Sequence, residues 1–335
     1  MDGKANSTKQ NINDPLSFAS KINHQIKQIL RQNNGRTPQH IFHYTSTEGL
    51  SGILSSNEFW ATDIRYMNDS SELEYGVDLV CSHLKIIRAD DGNGYSAILN
   101  EVCDSLPEHH KFFTHIGAYY AVSFCENGDL LSQWRSYASD GQGYALGFNT
   151  KSLLSNISST YKDRLVLRKM IYSPQKQVQL VTELVNYGKL LYDEIKSMAT
   201  TQTQHDLETQ LILDLRTGFY WLASNFKDAG FKEEKEWRLV VWELSPLQSE
   251  QNRLVFTPRS RIRGNTFNPY IPVSFANTEV SDPFPLEKII CGPTLISSAS
   301  FERREYAIKL FLYEKNRSKN IAIEKSIIPY VNAPK

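Results

Sequence analysis

Polar residues that local structure does not demand sit at the ends of short apolar runs along most of this chain. His43-Tyr44-Thr45 closes one run and Ser123-Phe124-Cys125 closes another. Glu234-Lys235-Glu236-Trp237-Arg238 opens a third, which continues to Trp242. Met67-Asn68-Asp69 and the pair Trp134 and Tyr137 fall between them. A fold that gathers several strand ends would collect His, Tyr, Trp, Glu and Arg in one cleft. Such a set suits a polar small molecule with an aromatic part.

Each residue has a specific chemistry and a plainer alternative. His43 at a strand end can donate a hydrogen bond to a sugar hydroxyl, or can be a core histidine bonded to backbone. Glu236 would project a carboxylate from a sheet end into a cleft, or belong to a solvated charge run before an edge strand. Glu234, two residues earlier, points to the same side if the strand extends back. Trp134 and Tyr137 share a helix face at i, i+3, as core or as a ligand platform. Arg135 points elsewhere on that helix, where it could meet a phosphate. Asn68 and Asp69 suit helix N-capping. Cys125 and His43 would make a nucleophilic pair, although nothing nearby marks the thiol as activated. Cys103, His109, His110 and His115 match no standard metal spacing, so no metal site is expected. Asp69, Glu72 and Glu236 are the carboxylates that a metal-dependent hydrolase could use, at a spacing that is not diagnostic.

The elements that must position these groups follow from pattern. Asp14 caps a helix with Pro15 at its first position, and Phe18, Ile22, Ile26 and Leu30 recur at helical spacing until Asn33-Asn34-Gly35. Strands are expected at His40–Thr45, Glu58–Thr62, Ala118–Phe124, Gly143–Phe148 and Arg164–Tyr172. Others are expected at Glu236–Glu243, Arg253–Phe256, Pro269–Phe275, Lys288–Cys291 and Ile321–Ile328. Thr47 caps a short helix, Ser70-Ser71 opens one to about Arg88, and another runs to about Thr114. Leu130–Tyr137 and Ser298–Tyr313 complete the helices outside one distinct stretch. From Pro174 to Phe226 the period becomes 3.6 with few turn signals, which reads as a two-helix insert. Asp90-Asp91-Gly92-Asn93-Gly94 is the clearest turn. Strands scattered among helices without regular βαβ alternation predict an α+β fold with mixed, mostly antiparallel sheets around a central cleft. A disordered tail over residues 1–13 and a single domain over 14–335 are expected.

Bulk composition excludes some classes. Lys plus Arg and Asp plus Glu are 37 each, so global charge gives no steering to nucleic acid or membrane. Arg259, Arg261 and Arg263 alternate as on a solvated strand or helix face. The four cysteines form no C-x-x-C pair and no readable disulfide framework, which points to a reduced setting. No signal peptide and no run of about 20 apolar residues is present, so a soluble, cytoplasmic protein without membrane contact is expected. Neither G-x-G-x-x-G nor G-x-x-x-x-G-K-[ST] occurs.

The pattern resembles a bacterial family, domain of unknown function 2971. The matching pieces are His43-Tyr44-Thr45-Ser46, Trp60-Ala61-Thr62, Met67-Asn68-Asp69 with Glu72, Ser123-Phe124-Cys125, and Trp134 with Tyr137. Gly143 to Phe148, Glu234 to Arg238, Ile289 to Pro293 and Ile328-Pro329-Tyr330 complete it, covering roughly residues 40 to 330. The family name carries no activity. More distantly, the order of His-bearing strand, short helix, middle strand ending in Ser and late strand led by Glu resembles the ADP-ribosyltransferases.

That second resemblance implies NAD as substrate. His43, with Tyr44, Thr45 and Ser123 around it, would hold the adenosine ribose. Tyr44, Trp134 or Tyr137 would stack on nicotinamide, and Arg135 would join the cofactor-binding set. Glu236, with Glu234 in a Glu-x-Glu, would stabilise the departing ribosyl group. ADP-ribosyl transfer or NAD glycohydrolysis in a bacterial defence or toxin-like context is the function implied, with a protein or nucleic-acid acceptor. The Pro174–Phe226 stretch has no counterpart in the compact transferase core. The rival readings are a non-catalytic nucleotide-, nucleic-acid- or protein-binding module of an anti-phage or mobile-element system, and the metal-dependent hydrolase above.

Overall fold

The computed structural model describes residues 16–67, 71–87, 94–161, 165–198, 201–244, 256–275, 284–293, 301–317 and 321–330. Several sequence expectations lie outside them: the 1–13 tail, the Asp14-Pro15 helix start, Asn68 and Asp69, the 90–93 turn and most of a strand at 253–256. The chain divides into two compact units, one from residues before 33 with 74–110 and 174–224, the other from 33–73, 111–173 and 225 onward.

The first unit is helical. It is built from α1 (Leu16–Asn33), most of α3 (Ser71–Ile87) and of α4 (Tyr95–Ile116), and the pair α7 (Pro174–Met198) and α8 (Thr201–Ala223). Ile22, Ile26, Ile29 and Leu30 recur on one face of α1 and are all buried, as amphipathic spacing requires. Helices approach closely at Gly76, where a Cβ would run into the Ala223 carbonyl. The helices read as an insert belong to this helical unit.

The second unit is α+β. Its strands are β1 (His40–Thr45), β2 (Glu58–Asp63), β3 (Gly117–Cys125), β4 (Tyr144–Asn149), β5 (Val166–Lys169) and β6 (Glu236–Leu244). β7 (Arg259–Arg263), β8 (Thr266–Ser274), β9 (Leu286–Cys291) and β10 (Ala322–Lys325) complete one sheet. Its order is β10-β9-β4-β1-β3-β2-β8-β7, with β6 and β5 also joined to β3 through β6. Every pairing is antiparallel except β9 with β10. Helices α2 (Thr47–Ser56), α5 (Leu131–Tyr137), α6 (Thr150–Tyr161) and α9 (Phe301–Glu314) belong to this unit.

The feature that positions the site is a split beside β3. One edge of β3 pairs with β6 along its whole length. The other edge pairs with β2 at Tyr120 and Ala121 and with β1 at Cys125. β1 and β2 therefore share one edge and part from each other between those points. They are joined by α2, capped at its start by Ser46, whose hydroxyl accepts from the Gly49 amide, and at its end by Asn57 in the left-handed region. Ser46, rather than Thr47, is the cap. Phe59, Phe124, Phe148 and Phe275 pack beneath with ring centroids 4.6 to 6.3 Å apart.

One helix had no counterpart in the sequence expectations, and one strand is shorter than expected. Thr150–Tyr161 is a helix despite its Ser and Thr content, because Asn149 accepts from the Ser152 amide and Leu153 and Ile157 are buried. The strand expected at Arg164–Tyr172 is confined to four residues, after which Ile171 bridges to Phe226.

Candidate functional site

A cavity of about 660 Å³ occupies the split. His43, Tyr44 and Thr45 from β1, Trp60 and Thr62 from β2, and Ala121, Val122 and Ser123 from β3 line it. Glu236 and Arg238 from β6, Arg261 and Arg263 from β7, Tyr137 from α5 and Glu48 in the first turn of α2 line it as well. His43 and Glu236 thus face one space. A smaller recess of about 60 Å³ is lined by His43, Ser123, Tyr137, Glu234 and Glu236.

His43 is fixed at this split. Its Nδ1 lies 3.0 Å from the Ser123 carbonyl, and its ring meets Phe59 and Phe124 edge-on at 5.8 Å. A carbonyl only accepts, so Nδ1 carries the proton. Burial pushes the His43 pKa down; the Ser123 carbonyl opposes this and the Arg261 charge adds to it. The ring is therefore neutral near pH 7 and presents Nε2 as an acceptor. The expected role as a donor to a sugar hydroxyl reverses, and the sugar hydroxyl would donate.

Glu236 is buried, and both carboxylate oxygens are bound. Arg238 Nε reaches Oε1 at 2.6 Å, its Nη2 reaches Oε2 at 3.0 Å, and Lys227 Nζ reaches Oε2 at 2.9 Å. Burial alone would raise this carboxyl; the Arg238 and Lys227 charges outweigh it and hold the group well below the usual carboxylate range. The Ser123 hydroxyl lies against the same carboxylate and helps hold it ionised, without a bond at full hydrogen-bonding geometry. The Glu236 amide donates to the Tyr172 hydroxyl at 2.9 Å.

Glu234 does not continue the strand. It ends a 3₁₀ turn, Ala229–Glu234, and Lys235 sits at φ 42° before β6 begins. Strand alternation therefore does not align Glu234 with Glu236. Lys227 does, by donating to both carboxylates.

The aromatic candidates separate. Trp134 is fully buried, does not line the cavity, and donates through Nε1 to Asp129 at 2.7 Å. Tyr44 is 6% exposed, packs T-shaped on Trp134 at 4.8 Å, donates to the Asn127 carbonyl and accepts from the Leu130 amide. Both serve packing. Tyr137, 37% exposed, remains as a platform. Trp134 and Tyr137 lie on one helix, yet only Tyr137 reaches the space. Arg135 is exposed beside Tyr330, outside the cavity.

Cys125 does not pair with His43. Its thiol donates to the Glu234 carbonyl at 2.9 Å, and burial pushes it up to about 12, against the opposing Asn127 amide. The side chains of His109, His110, His115 and Glu72 lie outside the described residues, as does Asp69. Among the described residues no helix is long and apolar enough to cross a membrane.

Trp60 and Arg261 line the cavity but were not read from the sequence as site residues. Arg261 donates to the Thr62 hydroxyl at 2.8 Å and stacks over Trp60 and Tyr270 at 5.3 and 5.8 Å. The alternating arginines of β7 carried the signal, but alternation alone does not distinguish a cavity wall from a solvated face.

Comparison with known proteins adds one match. Residues 133–239 match the family described as protein of unknown function (DUF2971). The matched span holds Tyr137, Glu234, Glu236 and Arg238, and stops short of His43, Ser123 and Arg261 on either side. No curated protein and no solved structure matches the chain.

Proposed function

We propose that the cavity binds NAD and that the protein acts on the nicotinamide–ribose bond, in the manner of an ADP-ribosyltransferase or NAD glycohydrolase. The observation that carries this reading is that His43 and Glu236, from strands far apart in sequence, line one cavity with an exposed tyrosine and arginines. Its volume falls in the range of small-molecule sites. His43 Nε2 accepts from a ribose hydroxyl, and Tyr137 offers a face to the nicotinamide ring.

In the reaction, the bond from ribose C1′ to the pyridinium nitrogen breaks with both electrons going to nitrogen. Nicotinamide leaves neutral, and positive charge develops on the ribosyl group. An ionised carboxylate in a poorly solvated site stabilises that charge. Water, or a nucleophilic atom of a protein or nucleic-acid acceptor, then adds at C1′ and loses a proton. Arg238 and Lys227 keep Glu236 ionised throughout the neutral range.

Those same cations support a second reading, nucleotide binding without turnover, as in a non-catalytic module of a defence system. They balance the charges of Glu234 and Glu236 and so weaken the field left for a ribosyl cation. Nicotinamide release from NAD decides between the two. Release by the wild-type chain and none by Glu236→Gln supports glycosidic cleavage. NAD binding without release supports the second reading, and neither binding nor release removes both.

A further inference from the structure

Arg261 has an environment that its fold role does not explain. It lies on β7, at the end of the sheet, with its side chain in the cavity wall. Nη2 donates to Thr62, and the guanidinium is flanked by the Trp60 and Tyr270 rings. Its Nε is buried without a hydrogen-bond partner. No carboxylate pairs with it among the described residues, whereas Arg238 across the same cavity is clamped on Glu236.

A partly buried cation without a counter-ion is costly, and hydrogen bonding leaves most of its fork unused. Aromatic stacking offsets part of that cost and fixes the plane of the guanidinium. Arg263, two residues on, lines the same cavity and adds charge of the same sign. Desolvation and repulsion from Arg263 both act against Arg261 as it stands. An anion entering the cavity would relieve each.

We propose that Arg261, held by Thr62, Trp60 and Tyr270, anchors an anion subsite for a phosphate or pyrophosphate group of the cavity's ligand. The proposal deepens the NAD reading, and rests on the same cavity, but requires only binding. A planar fork of N–H donors matches two phosphate oxygens, and the aromatic flanks hold the plane of that fork. Lys in place of Arg keeps the charge and loses that geometry.

Calorimetric titration of the full chain with inorganic pyrophosphate, ADP and adenosine tests this. Pyrophosphate and ADP are expected to bind, with affinity falling as salt rises, and adenosine to bind more weakly than ADP. Arg261→Gln is expected to weaken ADP binding about tenfold or more, and Arg261→Lys by less. Arg259→Gln, on the exposed part of β7 outside the cavity, is expected to leave it unchanged. Circular dichroism checks each fold; if the Gln variant does not fold, the Lys variant decides. Equal ADP binding by wild type and the folded Arg261 variant, or no binding of pyrophosphate and ADP to wild type, overturns the subsite. Anion binding without nicotinamide release leaves the subsite standing and removes turnover alone. Nicotinamide release unaffected by Arg261→Gln does the reverse.

Discussion

Arg238 clamps Glu236 through two nitrogens, Nε to Oε1 at 2.6 Å and Nη2 to Oε2 at 3.0 Å, and both residues are buried on β6. Breaking such a pair from one side leaves a buried charge. Glu236→Gln is therefore expected to lower unfolding stability by roughly 3 kcal/mol, and Arg238→Met by a similar amount. Urea denaturation measures both. The double variant should cost less than the two singles added together, because it leaves no lone charge.

The same pair makes stability acid-sensitive. The folded Glu236 carboxyl ionises below its ordinary value, so the folded state binds fewer protons than the unfolded chain as pH falls. Its contribution is complete above the ordinary glutamate value and is lost as pH drops through the depressed folded value. A urea midpoint falling between pH 5 and pH 3 in wild type, with a shallower fall in Glu236→Gln, is the expected result. Parallel curves would remove the assignment.

His43 separates its anchoring and ligand functions by atom. Asn at this position keeps an N–H for the Ser123 carbonyl and lacks an Nε2 equivalent. His43→Asn is expected to retain the wild-type melting temperature within a few degrees and to weaken NAD binding about tenfold. A wild-type affinity would show that Nε2 meets no ligand.

Trp134 and Tyr137 should differ sharply although three residues apart. Trp134→Phe removes the bond to Asp129 and is expected to cost about 1–3 kcal/mol of stability, with little effect on affinity in the folded protein. Tyr137→Ala, at an exposed position, is expected to weaken binding while stability changes by under about 1 kcal/mol.

Much of the second unit was legible because its signals are local. Alternation around Tyr144, Leu146 and Phe148 and the aromatic run at His40–Thr45 both gave strands at those positions. That His43, Ser123 and Glu236 line one cavity was an assumption drawn from their places at strand ends, which local pattern alone does not decide. What the split does to them was not readable, because it depends on β1 and β2 sharing one edge of β3. The His43 tautomer follows from the Ser123 carbonyl, which the fold sets 3.0 Å from Nδ1. Lys227 and the cavity place of Arg261 were missed for a related reason. Each is an ordinary cation in a polar stretch until tertiary pairing sets its partner. Tyr44 and Trp134 look like platforms in sequence, since an aromatic's exposure is decided by which face of its element the core occupies.

The most direct test of NAD in the shared cavity is the nitrogen spectrum of His43 in histidine-labelled protein during NAD titration. A neutral ring protonated at Nδ1 is expected at pH 7. NAD should then move the Nε2 resonance as it takes up a hydrogen bond, while Nδ1 keeps its proton. A His43 spectrum unchanged by millimolar NAD would contradict it.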